Sequence, residues 1–217
     1  MNDRSLSLIL TMMLGLAAVG GCARKTPELP TDPLEQAATC GVVAAAGERE
    51  AAGAKGELPA DGQARILHYA MLYASTGAAL DPDKVNAVSK RMPALADQTI
   101  KGDWRKLEPA CAAAFPATRI TQPVLPKKPL DAMLQCDALA EFLRKALTDQ
   151  GASYGNAANA YGAFIDTLDP KLSVAVRAAG LSNGDALRRK KQQELAAAAR
   201  LGQPPAVIDA CKKAYAA

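Results

Sequence analysis

Aromatic residues are scarce in this chain, 4% of its 217 positions, and histidine occurs once, at His68. A core with so few large rings has to be filled by Ala, Leu, Val and Met, which suits helices packed at short range. A single histidine leaves little for proton transfer or metal chemistry. No His-Glu-x-x-His, Ser-x-x-Lys set or phosphate-cradling loop is present, and no two cysteines have the two-residue spacing of a zinc or redox pair. No alternating strand pattern of useful length occurs either. Charge is nearly balanced, 26 Lys and Arg against 22 Asp and Glu for a net +4. That is too mild for a nucleic-acid footprint, so no nucleic-acid partner is expected, and neither is a metal or other cofactor.

Long apolar runs are also missing except at the start. Leu6 to Val19 is apolar apart from Ser7, Thr11 and Gly15, follows Arg4, and precedes small residues. This is the arrangement of a secretory signal. At about 1.5 Å per residue the run covers roughly 21 Å as a helix, short of the roughly 30 Å bilayer core, so it makes a poor permanent span. Val19-Gly20-Gly21-Cys22 resembles the lipobox of bacterial lipoproteins. The resemblance implies removal of residues 1–21 and lipidation of Cys22, giving a membrane partner through acyl chains. Ala23 in place of Asp after that cysteine implies the outer membrane, periplasmic side.

With Cys22 assigned to lipid, Cys40, Cys111, Cys136 and Cys211 form an even set in an oxidising compartment, where disulfides are expected. Spacing alone leaves three connectivities. An internal repeat chooses among them. Cys111 and Cys211 both sit in Ala-Cys-x-x-Ala-aromatic-x-Ala, and at the same offset Gly102 matches Gly202 and Leu95 matches Leu195. Upstream, Leu80-Asp81-Pro82 recurs as Leu168-Asp169-Pro170, with Tyr73 and Tyr161 each seven residues earlier. Cys40 and Cys136 each open an apolar segment. One bond per copy follows, Cys40–Cys111 and Cys136–Cys211.

Apolar spacing is helical throughout. Cys136, Leu139, Leu143 and Leu147 form one stripe, Ile66, Tyr69, Tyr73 and Leu80 a second, and Val85, Val88, Met92 and Leu95 a third, which Pro93 should kink or restart. Leu107, Cys111 and Phe115 share their spacing with Val207, Cys211 and Tyr215, placing both later cysteines inward on a last helix. Asp185 reads as an N-cap and Gly202 as a helix stop. The expected fold is all-α: two tandem, duplicated units of three to four helices, each closed by one disulfide. The expected organisation is a signal peptide at 1–21, a Pro-rich tether at 22–36, unit 1 at 37–117, a Pro-rich linker at 118–130 and unit 2 at 131–217.

Arg188, Arg189, Lys190 and Lys191 are the densest charge run. At 100° per residue they wrap a whole helical turn, which predicts a solvated turn or a contact with an acidic or anionic partner. His68, with no ligand-spaced companion, reads as structural or surface. Asp81 and Asp169, each before Pro, read as helix caps, and Trp104 as a core or rim anchor. The expected function is a non-catalytic, lipid-anchored envelope lipoprotein that binds another envelope protein. Alternatives are a periplasmic chaperone, an inhibitor or immunity-type protein, and, last, an enzyme. The chaperone alternative rests on Pro205-Ala206-Val207-Ile208-Asp209-Ala210-Cys211 with Cys136-Asp137, which resembles the helical acid-stress chaperones of the HdeA type.

Overall fold

Pro33 enters a helix with φ already suitable and no N–H to leave unpaired, and Asp32 ahead of it caps the turn, accepting from the Glu35 amide at 2.9 Å. In the computed structural model, which describes residues 28–53 and 56–215, this helix is α1, Pro33–Ala52. It stops at Gly53, whose left-handed φ of 58° suits glycine. α1 thus begins at Pro33, inside the stretch 22–36 expected as a tether. Residues 1–27, with the signal and Cys22, lie outside the described residues.

Seven further helices follow: α2 (Ala60–Ala74), α3 (Pro82–Lys101), α4 (Glu108–Ala114), α5 (Pro129–Gln150), α6 (Gly155–Ala178), α7 (Gly184–Leu201) and α8 (Pro204–Tyr215). Short 3-10 turns precede α4, follow it and precede α6. Among the described residues there is no strand, and no helix is long and apolar enough to cross a membrane. The chain is all-α. Both expected disulfides are formed: Cys40–Cys111 ties α1 to α4, and Cys136–Cys211 ties α5 to α8.

The packing order is the same in both halves. α1 packs against α2, α3 and α4; α5 packs against α6, α7 and α8. In α5 the stripe Cys136, Leu139, Leu143 and Leu147 is fully buried, each leucine worth about 2 kcal/mol against exposure. In α1 the buried residues run from Ala37 to Val43 and include Ala37, Ala38, Cys40 and Gly41, and α3 comes in so closely that a Cβ on Gly41 would meet the Met92 sulfur at 2.9 Å. The position corresponding to Gly41, one past the cysteine, is Asp137 in α5, and there the third helix of the half presents Lys191 at 2.7 Å. One seam is closed by Gly against Met and the other by an ion pair.

The repeated Leu-Asp-Pro motif takes two structures. Asp81 caps α3, its side chain accepting from the Asp83 amide at 3.0 Å, with Pro82 in the first turn. Asp169 caps nothing, because α6 continues through Pro170. The residues before the motif explain the difference. Ser75-Thr76-Gly77 favour leaving a helix, whereas Ala163-Phe164-Ile165 sustain one and Phe164 and Leu168 are buried. Packing outweighs the missing proline N–H. Pro93 likewise sits within one unbroken helix. The N-cap of α7 is Asn183, which accepts from the amides of Asp185 and Ala186, rather than Asp185 itself.

The two halves share one core. α2 lies between them, contacting α5, α7 and α8. Its buried residues include Ala64, His68 and Met71, a face that the Ile66, Tyr69, Tyr73 stripe does not predict; Tyr69 and Tyr73 are only partly buried. Across the seam the Tyr154 hydroxyl donates to the Leu58 carbonyl at 2.9 Å and accepts from Gln63, and Arg200 donates to the Ser75 carbonyl at 2.8 Å. The linker is held too. Gln203 donates from its backbone to Ile120 O and from its side chain to Thr118 O. Gly202 makes that approach feasible, since a Cβ there would lie 2.7 Å from Ile120 O.

Candidate functional site

Two concave places on this framework hold chemistry. The first is a groove of about 530 Å³ between α5 and α7, floored by half-buried Phe142 and Leu187 with Leu195 behind them. Arg188, Lys145 and Lys191 stand around it. The basic run of the sequence thus borders the groove, but it is not the uniformly solvated turn expected. Lys190 reaches Glu194 at 2.6 Å and Asp131 at 3.2 Å; Lys191 reaches Asp137 at 2.7 Å and Glu141 at 3.2 Å. Each of these lysine side chains is 30% exposed.

This corrects the expectation for half of the run. Lys190 and Lys191 lie along α5, and their partners Asp137 and Glu194 are buried, with Gln135 donating to Glu194 at 2.7 Å. Burial pushes the Asp137 carboxyl up, against the pull of Lys191. For Lys191 burial acts downward, and Asp137 followed by Glu141 outweighs it, leaving the ammonium raised. Arg188 and Arg189 remain exposed. Arg188 pairs with Asp185 at 2.6 Å on the surface, a contact of the kind worth at most about 1 kcal/mol, and Arg189 has no ion-pair partner among the described residues.

The second place is a cavity of about 440 Å³ where α1, α2 and α4 meet the linker, with Gln203 contributed by the second half. Its wall carries four charged groups. Glu48 and Arg65 form a two-pronged pair at 2.5 and 2.7 Å, with Gly62 leaving room for the Glu48 carboxylate over α2. Glu108 and Arg119 are exposed at the wall and have no ion-pair partner among the described residues. Tyr69 lies among them. Burial raises its hydroxyl, a hydrogen bond with Thr118 and the charge of Arg119 act downward, and Glu108 and Glu48 act upward.

His68 lines this cavity and is fully buried. Its Nε2 lies 2.6 Å from the Ala199 carbonyl of α7; since a carbonyl only accepts, Nε2 carries the proton. Nδ1 is then a bare acceptor, and it has no hydrogen-bond partner among the described residues. Burial lowers the His68 pKa to about 4, so the ring is neutral at pH 7. His68 is thus a structural link between the halves with one open nitrogen.

No family model matches the chain, and no curated protein or solved structure is similar to it at a significant level.

Trp104 is buried at the start of the 3-10 turn leading into α4, with the Arg105 guanidinium 4.6 Å from its ring centre. Among the described residues no three His, Cys, Asp or Glu side chains gather as a metal-holding group. The chain does hold one literal Gly-x-Ser-x-Gly, Gly151-Ala152-Ser153-Tyr154-Gly155. A nucleophile serine of that kind sits on a strand-to-helix turn beside a histidine. Ser153 instead sits in a 3-10 turn between two helices and lines a different cavity from the one histidine. Sequence reasoning also missed Phe142 and Glu108 as site residues, which are marked only by neighbours distant in sequence.

Proposed function

We propose that this protein is a lipid-anchored envelope lipoprotein facing the periplasm, non-catalytic, that docks another envelope protein in the groove between α5 and α7. The observation that carries the reading is the groove itself. Phe142 and Leu187 offer apolar surface, and Arg188 and Lys145 are exposed cations at its border. This combination fits a segment with apolar side chains flanked by carboxylates, with aromatic surface supplying affinity and the cations steering approach. The lipobox resemblance of Val19-Gly20-Gly21-Cys22 supports the anchor.

The test uses the full chain in its own envelope. A photoreactive residue in place of Lys145 should crosslink a discrete protein, and Arg188→Glu with Arg189→Glu should reduce that crosslink several-fold while leaving the unfolding midpoint in place. A crosslink pattern indistinguishable from a control site on α3 would sink the docking reading. Separately, Cys22→Ser should abolish palmitate labelling and release the protein from the membrane fraction.

A second reading, an acid-responsive chaperone, is favoured by one observation: neutral, buried His68 bonds across the seam between the halves. Exposure of apolar surface to a fluorescent dye near pH 4, reversible on neutralisation, would support it. A protein that stays closed there would remove it.

A further inference from the structure

The cavity lined by Glu48, Arg65, His68, Tyr69, Glu108 and Arg119 has a charge pattern that few ligand classes satisfy. A simple anion would meet Glu48 and Glu108 as well as the arginines. A simple cation would meet Arg65 and Arg119, and an apolar molecule would strip water from all four without replacing its hydrogen bonds. A molecule carrying both an ammonium and a carboxylate matches both signs at once. Its volume of about 440 Å³ lies in the range of small-molecule sites, roughly 300–1,000 Å³.

We infer that this cavity binds a small zwitterion, a free amino acid or short peptide, with Arg119 receiving the carboxylate and Glu108 the ammonium. His68 supplies the independent observation. It is wholly buried, it lines the cavity, and its Nδ1 is an acceptor without a hydrogen-bond partner among the described residues. Glu48 and Arg65 already neutralise each other, leaving Glu108 and Arg119 as the two charges at the wall without an ion-pair partner among the described residues. The site is distinct from the α5–α7 groove, so it stands or falls separately from protein docking.

Gly47 provides a clean way to close the cavity. It lies on α1 at the wall, where a Cβ would be 3.7 Å from the Trp104 ring and 3.8 Å from the Glu108 carboxylate, ordinary contact distances. A leucine there adds a good helix former and places side-chain volume at the cavity wall.

The experiment is calorimetric titration of the detergent-solubilised full-length protein with alanyl-alanine, lysyl-alanine, free alanine and free lysine, beside N-acetylated and C-amidated forms of each dipeptide. The expected result is saturable binding of at least one zwitterion, weakened about tenfold or more when either terminus is blocked. Arg119→Ala should erase the difference between acid and amide, and Glu108→Ala the difference between free and acetylated amine. Gly47→Leu should abolish binding with the unfolding midpoint unchanged or raised, while Arg188→Glu with Arg189→Glu should leave it intact. The inference is overturned if folded protein binds none of these probes, if blocked dipeptides bind as tightly as free ones, or if Gly47→Leu binds like the parent.

Discussion

His68 is neutral where an unfolded chain would hold it near pH 6.5, because burial lowers its pKa to about 4. Between those values the unfolded state takes up a proton that the folded state refuses. Stability is therefore full above about pH 6.5 and falls as the pH drops toward 4, by about 3 kcal/mol in all at 1.36 kcal/mol per pKa unit. Urea unfolding at pH 7.5 and 4.5 should reveal this slope, and His68→Gln, able to keep the bond to Ala199 O, should flatten it. Asp137 acts in the opposite sense: its raised carboxyl contributes stability at low pH that is lost as pH rises through its folded value. Lys191→Ala removes the nearest cation from that buried carboxylate. The expected loss is about 2 kcal/mol, below the about 3–5 kcal/mol of a fully buried pair because Lys191 keeps 30% exposure. Replacing both, Asp137→Leu with Lys191→Met, should restore most of it.

Elements with the same motif respond differently to the same change. Pro82 sits in the first turn of α3, where a missing N–H costs nothing, while Pro170 stands inside α6 and denies the helix one bond. Pro170→Ala is expected to raise stability by about 1–3 kcal/mol, and Pro82→Ala to lower it by less than about 1 kcal/mol through the more flexible unfolded chain. Thermal unfolding of the two variants decides; equal shifts would mean that α6 breaks at Asp169. The helices, the inward stripe of α5 and the last-helix cysteines were legible in sequence, because a 3.6-residue period records which face is apolar. Continuation of α6 through Pro170 was not legible from the motif, since it depends on Phe164 and Leu168 finding a core to enter.

For the molecule as a whole, the shared core predicts cooperative unfolding. Removing one disulfide with Cys40→Ala and Cys111→Ala opens a loop of 71 residues and should cost about 4 kcal/mol in the loop-entropy model. Calorimetry should still show a single transition at lower temperature, in which the hydrogen bonds of Tyr154 and His68 across the seam break together with the rest of the fold. Two separated transitions would contradict a common core. α2 makes this coupling, for it packs on α1 and also faces α5, α7 and α8.

The sequence by itself determined the helical class and the cysteine pairing, because periodicity and the repeat act over short or matched stretches. The candidate sites were only partly legible. Arg188 and its neighbours stood out as a charge run, yet their carboxylate partners on α5 lie about fifty residues away in the chain, so nothing local showed that Lys190 and Lys191 face inward. Tertiary structure alone decided that the halves share a core, that His68 spans their seam with one nitrogen unmet, and that Glu108 and Arg119 line one cavity. Those facts come from chain segments brought together by burial of apolar faces, which no spacing along the chain records.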